Sequence, residues 1–327
     1  MNKIKFLSVS ALNMFLTQPN KFYCTRLAEE KLPRDPQSLA AAAGTMFDIN
    51  IKKYLISICN LGNYNSTTAA VSAIKDRFIN FPWFQKEKEN MTLSNLFLES
   101  LEEQNRIDEI FIIGRKLFNV YINSQLYKKT SFHDVEKRSI FNLKVKISNK
   151  EYIVPIYAIL DCVLSDKGVL NGKGVLNGKG VSKYYPMDFK VSGYTSGASP
   201  KKAYHTSYDE LGNSLGAHKD YVDDMDFSLI DETWAMQGCT YGWSIGCELF
   251  KPFPFSVHAF FIGTPKQDGS RSIKLCEYNG IITEEFQKIT ALKYINAWNT
   301  LKDNSEVPWC DEPLLSEMLS RTEHFGW

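Results

Sequence analysis

The chain has 327 residues, 44% hydrophobic and 23% charged, with 38 lysines and arginines against 37 aspartates and glutamates and a formal charge of +1. That length suits one large domain or two ordinary ones, and the composition is that of a globular protein in water. So even a charge balance argues against a highly basic tail that coats nucleic acid, while permitting a locally basic groove.

The opening "MNKIKFLSVSALNMFL" places lysines before an apolar stretch, as a signal peptide does. Ser8, Ser10 and Asn13 interrupt that stretch and no small-residue cleavage site follows, so the expectation is an amphipathic first helix. No run approaches the roughly 20 apolar residues of a membrane span. The cysteines, Cys24, Cys59, Cys162, Cys239, Cys247, Cys276 and Cys310, form no Cys-x-x-Cys pair and no cluster with histidine. This argues against a zinc or iron–sulfur site. Their odd number, without an export signal, predicts mostly free thiols in a reducing cytoplasm.

A turn is expected at Pro19, followed by the basic and aromatic stretch "NKFYCTRL". From Gln37 an alanine-rich segment leads into a helix with Phe47, Ile51 and Leu55 at helical spacing. Ser66 is placed to cap "TTAAVSAIKDRF", and the helical pattern resumes through "LSNLFLESLEEQNRIDEIFIIGRKLFNVYINSQLY". Residues 1–130 are therefore expected to be mainly helical. Then the pattern changes. "DVEKRSIFNLKVKI", "YIVPIYAILDCVL" and "YYPMDFKV" are β-branched and aromatic and predict three successive strands. "WAMQGCTYGWSIG" predicts a helix, "FSVHAFFIGT" and "SIKLCEYNG" two more strands, and "TEEFQKITALKYINAWNTL" a helix capped by Thr283. The expected class is α/β: a mixed central sheet flanked by helices over residues 131–327, behind the helical part at 1–130.

Two segments look inserted. The tandem repeat "GVLNGKGVLNGKG" (168–180) contains Gly-Lys, but three residues rather than four precede it, and glycine rather than Ser or Thr follows. It is not a P-loop. Residues 194–230, rich in Gly, Ser, Lys and Asp, are long for a plain connection and read as a flap or a partly disordered loop. Its acidic part, "DYVDDMD", reads as a solvated loop.

The chemistry lies in acids that interrupt apolar strands. Asp161 sits inside "IYAILDCVL" and Asp188 inside "YYPMDFKV". A lone buried carboxylate costs several kcal/mol unless paired or bound to a cation. Asp188 and Lys190 are two apart, so on a strand they face the same way, and a simple Asp–Lys pair on an exposed sheet face is one reading. The other is a hard divalent cation between Asp161 and Asp188, because Mg²⁺ takes one or two carboxylates and keeps waters for substrate phosphates. Lys190 would then orient or deprotonate a nucleophilic water, or stabilise charge developing on phosphorus.

These residues resemble the PD-(D/E)XK nucleases, specifically their RecB-like branch. "LSVSALNMFLTQPNKFY" is similar to that branch's opening helix, and "GTMFD" (44–48) to its Gly-x-x-x-His element, with Asp48 in place of His. "AILD" (158–161) is similar to Gly-x-x-Asp with Ala158 in place of Gly, and "QGCTY" (237–241) matches a Gln-x-x-x-Tyr helix. The resemblance implies a restriction-endonuclease-like core and a metal-dependent DNA nuclease, an exonuclease rather than an endonuclease, working in recombination, repair or replication. It implies Mg²⁺ or Mn²⁺ held by Asp161, Asp188, the Phe189 carbonyl and Asp48, with Lys190 catalytic and Gln237 and Tyr241 aimed at the site. Glu136 is either a further ligand or a surface acid beside Lys137. Gln18-Pro19 stands where a cluster-bearing member has Cys-Pro, so the form without an iron–sulfur cluster is expected. Lys21, Arg26, Lys52, Lys53, Lys201 and Lys202 are candidates to track DNA phosphates. DNA is the expected partner, with a recombinase, single-strand-binding protein or helicase beside it and no membrane. The competing readings are a catalytically silent nucleic-acid-binding module of the same fold, and a nuclease acting on RNA or branched DNA.

Overall fold

The computed structural model describes residues 4–28, 38–62, 101–165, 184–193, 205–217 and 225–303. The helix expected after Ser66, the Gly-Lys repeat, Lys201, Lys202, Cys310 and, within 194–230, residues 194–204 and 218–224 lie outside the described residues.

Helix α1 (Val9–Thr17) begins where Ser8 accepts a hydrogen bond from the Ala11 N–H. It is followed by a short α2 (Pro19–Phe22) and a π-helical turn (Tyr23–Leu27). Helices α3 (Leu39–Gly62), α4 (Leu101–Asn123) and α5 (Gln125–Lys129) precede the sheet. Strands β1 (Phe132–Ile147) and β2 (Lys150–Ser165) form a long hairpin. Its two-residue turn puts both Ser148 (φ 47°) and Asn149 (φ 66°) in the left-handed region, the geometry that matches the twist of paired strands. Next come β3 (Tyr184–Gly193), β4 (Thr206–Tyr208) and β5 (Ser214–Ala217). Helix α6 (Glu232–Ser244), β6 (Phe253–Pro265), β7 (Arg271–Ile282) and α7 (Glu284–Asp303) complete the described chain. As expected, Thr283 caps α7, accepting from the Phe286 N–H. Strands β4 and β5 were not expected; they fall in the segment read as a flap.

The seven strands make one mixed sheet in the order β1-β2-β3-β6-β7-β4-β5. β3 runs parallel to β6 and the other pairings are antiparallel. A parallel neighbour requires a crossover, and α6 lies in the one between β3 and β6. Helices cover both faces. On one, Leu12 and Phe15 of α1, Cys239 and Trp243 of α6 and Leu292 and Ile295 of α7 pack on Phe255, Val257 and Ala259. On the other, α3, α4 and α5 pack on Met187, Phe189, Phe260 and Ile262. β6 is consequently buried along almost its whole length, which is why it reads as a continuous apolar run. The helices before residue 131 thus contribute to both layers. Among the described residues no helix is long and apolar enough to cross a membrane.

Candidate active site

Helix α3 approaches β3 closely at Gly44. A Cβ there would lie 2.9 Å from the Cβ of Val191, so only glycine fits without displacing the strand. Asp48 follows one turn later and Lys52 one turn after that, so all three share a face. Helix α6 is pressed against β6 in the same way. A Cβ on Gly238 would meet the Phe255 ring at 2.5 Å and one on Gly242 the Phe253 ring at 2.2 Å. Asp231 caps α6, accepting from the Trp234 N–H at 2.8 Å. These contacts bring Gln237 and Tyr241 down to the level of the sheet.

β2 and β3 pair only from Cys162–Met187 to Ser165–Tyr184. Beyond the first of those pairs lie Asp161 and Asp188. Asp161 Oδ2 accepts from the Phe189 N–H at 2.9 Å. A strand residue presents its N–H and C=O to the same side, so the Phe189 carbonyl faces the gap into which Asp161 projects. Asp188, 1% exposed, is ion-paired through Oδ2 to the Lys190 ammonium, but that oxygen has no aligned hydrogen bond. Gln237 holds both residues. Its Oε1 accepts from Lys190 Nζ at 2.7 Å, and its Nε2 donates to Asp188 Oδ1 at 3.1 Å and to the Tyr241 hydroxyl at 2.5 Å. Tyr241 in turn packs with Ala158, Leu160 and Val163 of β2.

Asp48 and Asp161 are bridged by Lys52, whose ammonium lies 2.7 Å from Asp48 Oδ2 and 2.6 Å from Asp161 Oδ1. Lys52 was expected among the surface lysines that track phosphates; instead it is 8% exposed and committed to two carboxylates. Lys21, Arg26 and Lys53 are exposed. Glu136 lies in β1 between the pairs Val135–Cys162 and Lys137–Leu160, hence opposite Asp161. It has φ 53°, a left-handed conformation rare for a non-glycine residue and associated with functional sites. Its carboxylate pairs with Arg138 at 2.8 Å.

The electrostatics divide the acids. Burial and the Asp161 charge push the Asp188 carboxyl well above the usual carboxylate range, outweighing the neighbouring Lys190. Asp161 is less hidden, its side chain 14% exposed; burial still opposes its ionisation, but Lys52 and the contact with Asp188 hold it below the usual value. The two acids are thus driven apart, Asp161 toward the ionised form and Asp188 toward the protonated one, as closely spaced carboxylates are. Burial and Asp161 raise Asp48 to about 6. Burial works against the Lys52 charge, yet Asp161 and Asp48 keep its pKa above that of an ordinary lysine. Burial also raises the Tyr241 phenol, which stays neutral.

Two carboxylates and a backbone carbonyl are hard oxygen donors suited to Mg²⁺ or Mn²⁺, and the unaligned Asp188 oxygen fits a cation. With Lys52 between Asp48 and Asp161, no three Asp, Glu, His or Cys side chains among the described residues converge enough to hold an ion. Two features had no reading in the sequence: the Lys52 bridge, legible only as the i,i+4 spacing from Asp48, and the backbone of Glu136, which left no signal.

A second polar cluster lies on the α3–α5 side, around a cavity of about 290 Å³ lined by Lys129, Ser256, His258, Glu277 and Asn279 among others. Buried Glu277 accepts from Lys129 at 2.6 Å, Tyr208 at 3.0 Å and Asn279 at 3.1 Å. The Tyr121 hydroxyl lies 2.7 Å from His258 Nδ1, and burial lowers that imidazole to about 4. These groups are satisfied by one another, as a structural network requires, whereas Asp188 Oδ2 has no aligned hydrogen bond. Cys24, Cys162, Cys239, Cys247 and Cys276 are free thiols.

No protein-family model matches the chain, and a search of curated proteins finds no similar sequence.

Proposed function

We propose that the protein is a metal-dependent DNA nuclease with a restriction-endonuclease-like core of the RecB-like PD-(D/E)XK type, acting as an exonuclease. One observation carries this reading: Asp161 and Asp188 meet at the parting of β2 and β3, and Lys190, two residues further on, is clamped to Asp188 by Gln237. A simple surface ion pair would have neither the burial of Asp188 nor a second acid against it.

Asp161, Asp188 and the Phe189 carbonyl, with Asp48, would hold a Mg²⁺ or Mn²⁺ ion, which supplies a bound water of lowered pKa and neutralises phosphate charge. The chain does the rest. Gln237 fixes the Lys190 ammonium, a quarter exposed and thus able to reach substrate. From there it orients the attacking water and stabilises charge developing on phosphorus as the ester oxygen leaves. Tyr241, neutral and buried, accepts from Gln237 Nε2, which holds the amide in one orientation. DNA is the proposed substrate and the exposed Lys21, Arg26 and Lys53 are proposed phosphate contacts.

The test is incubation with linear and circular, single- and double-stranded DNA, branched DNA and RNA, in Mg²⁺, Mn²⁺ or chelator, beside Lys190→Ala. Metal-dependent cleavage of linear DNA that Lys190→Ala abolishes is the expected result. Binding without cleavage of any substrate would leave a nucleic-acid-binding module in its place.

A further inference from the structure

Lys52 has no part in the mechanism above, yet it occupies the centre of the site. Its ammonium touches Asp48 Oδ2 at 2.7 Å and Asp161 Oδ1 at 2.6 Å. The other oxygen of Asp161 is already taken by the Phe189 N–H at 2.9 Å. Both oxygens of Asp161 are therefore engaged, and an ion that binds between Asp161 Oδ1 and Asp48 Oδ2 must take the place of the ammonium that now bridges them, the end of a flexible four-carbon side chain, rather than disturb a backbone donor fixed in a strand. The side chain yields more readily.

The charges point the same way. Asp48, Asp161 and Asp188 face Lys52 and Lys190. A divalent ion added to all five would place three cationic centres within one small volume, whereas an ion that displaces Lys52 restores the balance. We infer that Lys52 is a built-in cation that competes with the divalent metal for the Asp48–Asp161 pair, so that metal binding and the Lys52 bridge are mutually exclusive. This rests on the metal-dependent reading of the site. Coupling between two ligands of one site is reciprocal: whatever the bridge costs the metal, the metal costs the bridge. Lys52 accordingly sets the metal concentration at which the site fills and keeps the acids neutralised until then. A lysine serving only to tie α3 to β2 would keep its contacts when the ion binds.

The experiment uses Mn²⁺ alone, without nucleic acid. Wild-type protein is labelled with an amine-acylating reagent at zero and saturating Mn²⁺, and modification of Lys52 is read by mass spectrometry, with exposed Lys53 as internal control. Mn²⁺ affinity of wild type and Lys52→Met is read from the electron paramagnetic resonance of the free ion. The expected result is that Lys52 becomes reactive on Mn²⁺ binding while Lys53 is unchanged, and that Lys52→Met binds Mn²⁺ about tenfold more tightly, within the usual range of site coupling. If wild type binds Mn²⁺ while Lys52 stays unreactive, the inference is overturned and the nuclease reading stands. If wild type binds no Mn²⁺, both fall. The labelling decides even where Lys52→Met fails to fold, because it needs only the wild-type chain.

Discussion

Replacing Asp188 by asparagine should abolish cleavage and at the same time stabilise the metal-free protein at alkaline pH. Asp188 is 1% exposed and belongs to a group of three acids and two lysines. Its folded pKa lies well above 3.8, through burial first and the Asp161 charge after it. The folded protein therefore retains a proton that the unfolded chain releases. A raised folded pKa on an acid means stability that is fully present at low pH and lost as pH climbs through the folded value. At pH 8 the buried carboxylate is a burden that Lys190, with a side chain 25% exposed, relieves only in part. Asn mimics the protonated acid in size and hydrogen bonding and leaves the group neutral overall. Removing one partner of a buried pair is costly where it leaves a buried charge unpaired, but Lys190 keeps its bond to Gln237 Oε1 and is a quarter exposed. The relief of the Asp188 burial cost therefore prevails, a gain of about 1 kcal/mol, or roughly 2–4 °C in melting temperature. Thermal and urea unfolding in chelator from pH 8 down to pH 4 measures it: the gain should appear at pH 8 and shrink as pH falls toward the ordinary carboxylate value of 3.8. Activity should fall by about 10²–10³ or more, as when one charge-stabilising group is removed. A variant less stable than wild type at pH 8 would show that the Asp188–Lys190 pair outweighs burial.

Gln237→Leu should leave Lys190 unanchored and lower kcat by about 10–100-fold with little change in KM. It should also cost about 1–3 kcal/mol of stability, because Asp188 Oδ1 loses its donor; steady-state kinetics and urea melts read both. Gly44→Ala should destabilise by about 1–2 kcal/mol despite alanine's better helix propensity, since overpacking against Val191 exceeds the propensity gain; a more stable variant would show that α3 does not press on β3. Asp48, at about 6 in the folded protein against 3.8, contributes stability that is complete below about 3.8 and lost as pH rises through 6. Asp48→Asn should therefore flatten the pH dependence of unfolding between pH 4 and 7 in chelator, and a slope equal to that of wild type would overturn the assignment.

Strands β1 and β2 were legible because burial of one face writes itself into alternation, and β3 through its β-branched and aromatic content, and the acids stood out against that background. β4 and β5 were not: "TSY" is three residues long, and "SLGA" is exposed throughout, so neither carries a hydrophobic pattern. Lys52 misled for a more instructive reason. Helical periodicity reports which residues share a face, not how deeply the helix is sunk. Ala42, Ala43, Met46, Phe47, Ile51, Tyr54 and Leu55 of α3 are all buried, so the helix is enclosed on most of its circumference. A lysine there is inside by default, and the ordinary expectation of an exposed side chain fails. Glu136 is a different limit, since a left-handed φ at a non-glycine residue is imposed by the surrounding sheet.

Position and chemistry in this site come from different residue types, and the small residues decide the first. Gly44 lets α3 approach β3, and Gly238 and Gly242 let α6 approach β6; Asp48 and Lys52 follow from the one, Gln237 and Tyr241 flank the other. A side chain at any of these glycines would lift a helix by a fraction of an ångström, while the contacts it carries, 2.7 Å from Lys190 to Gln237 and 2.6 Å from Lys52 to Asp161, have no slack to absorb the shift. The motif glycines and the motif acids are thus one device: the glycines fix how near the helices come, and that nearness is what makes buried charges affordable in the middle of a sheet.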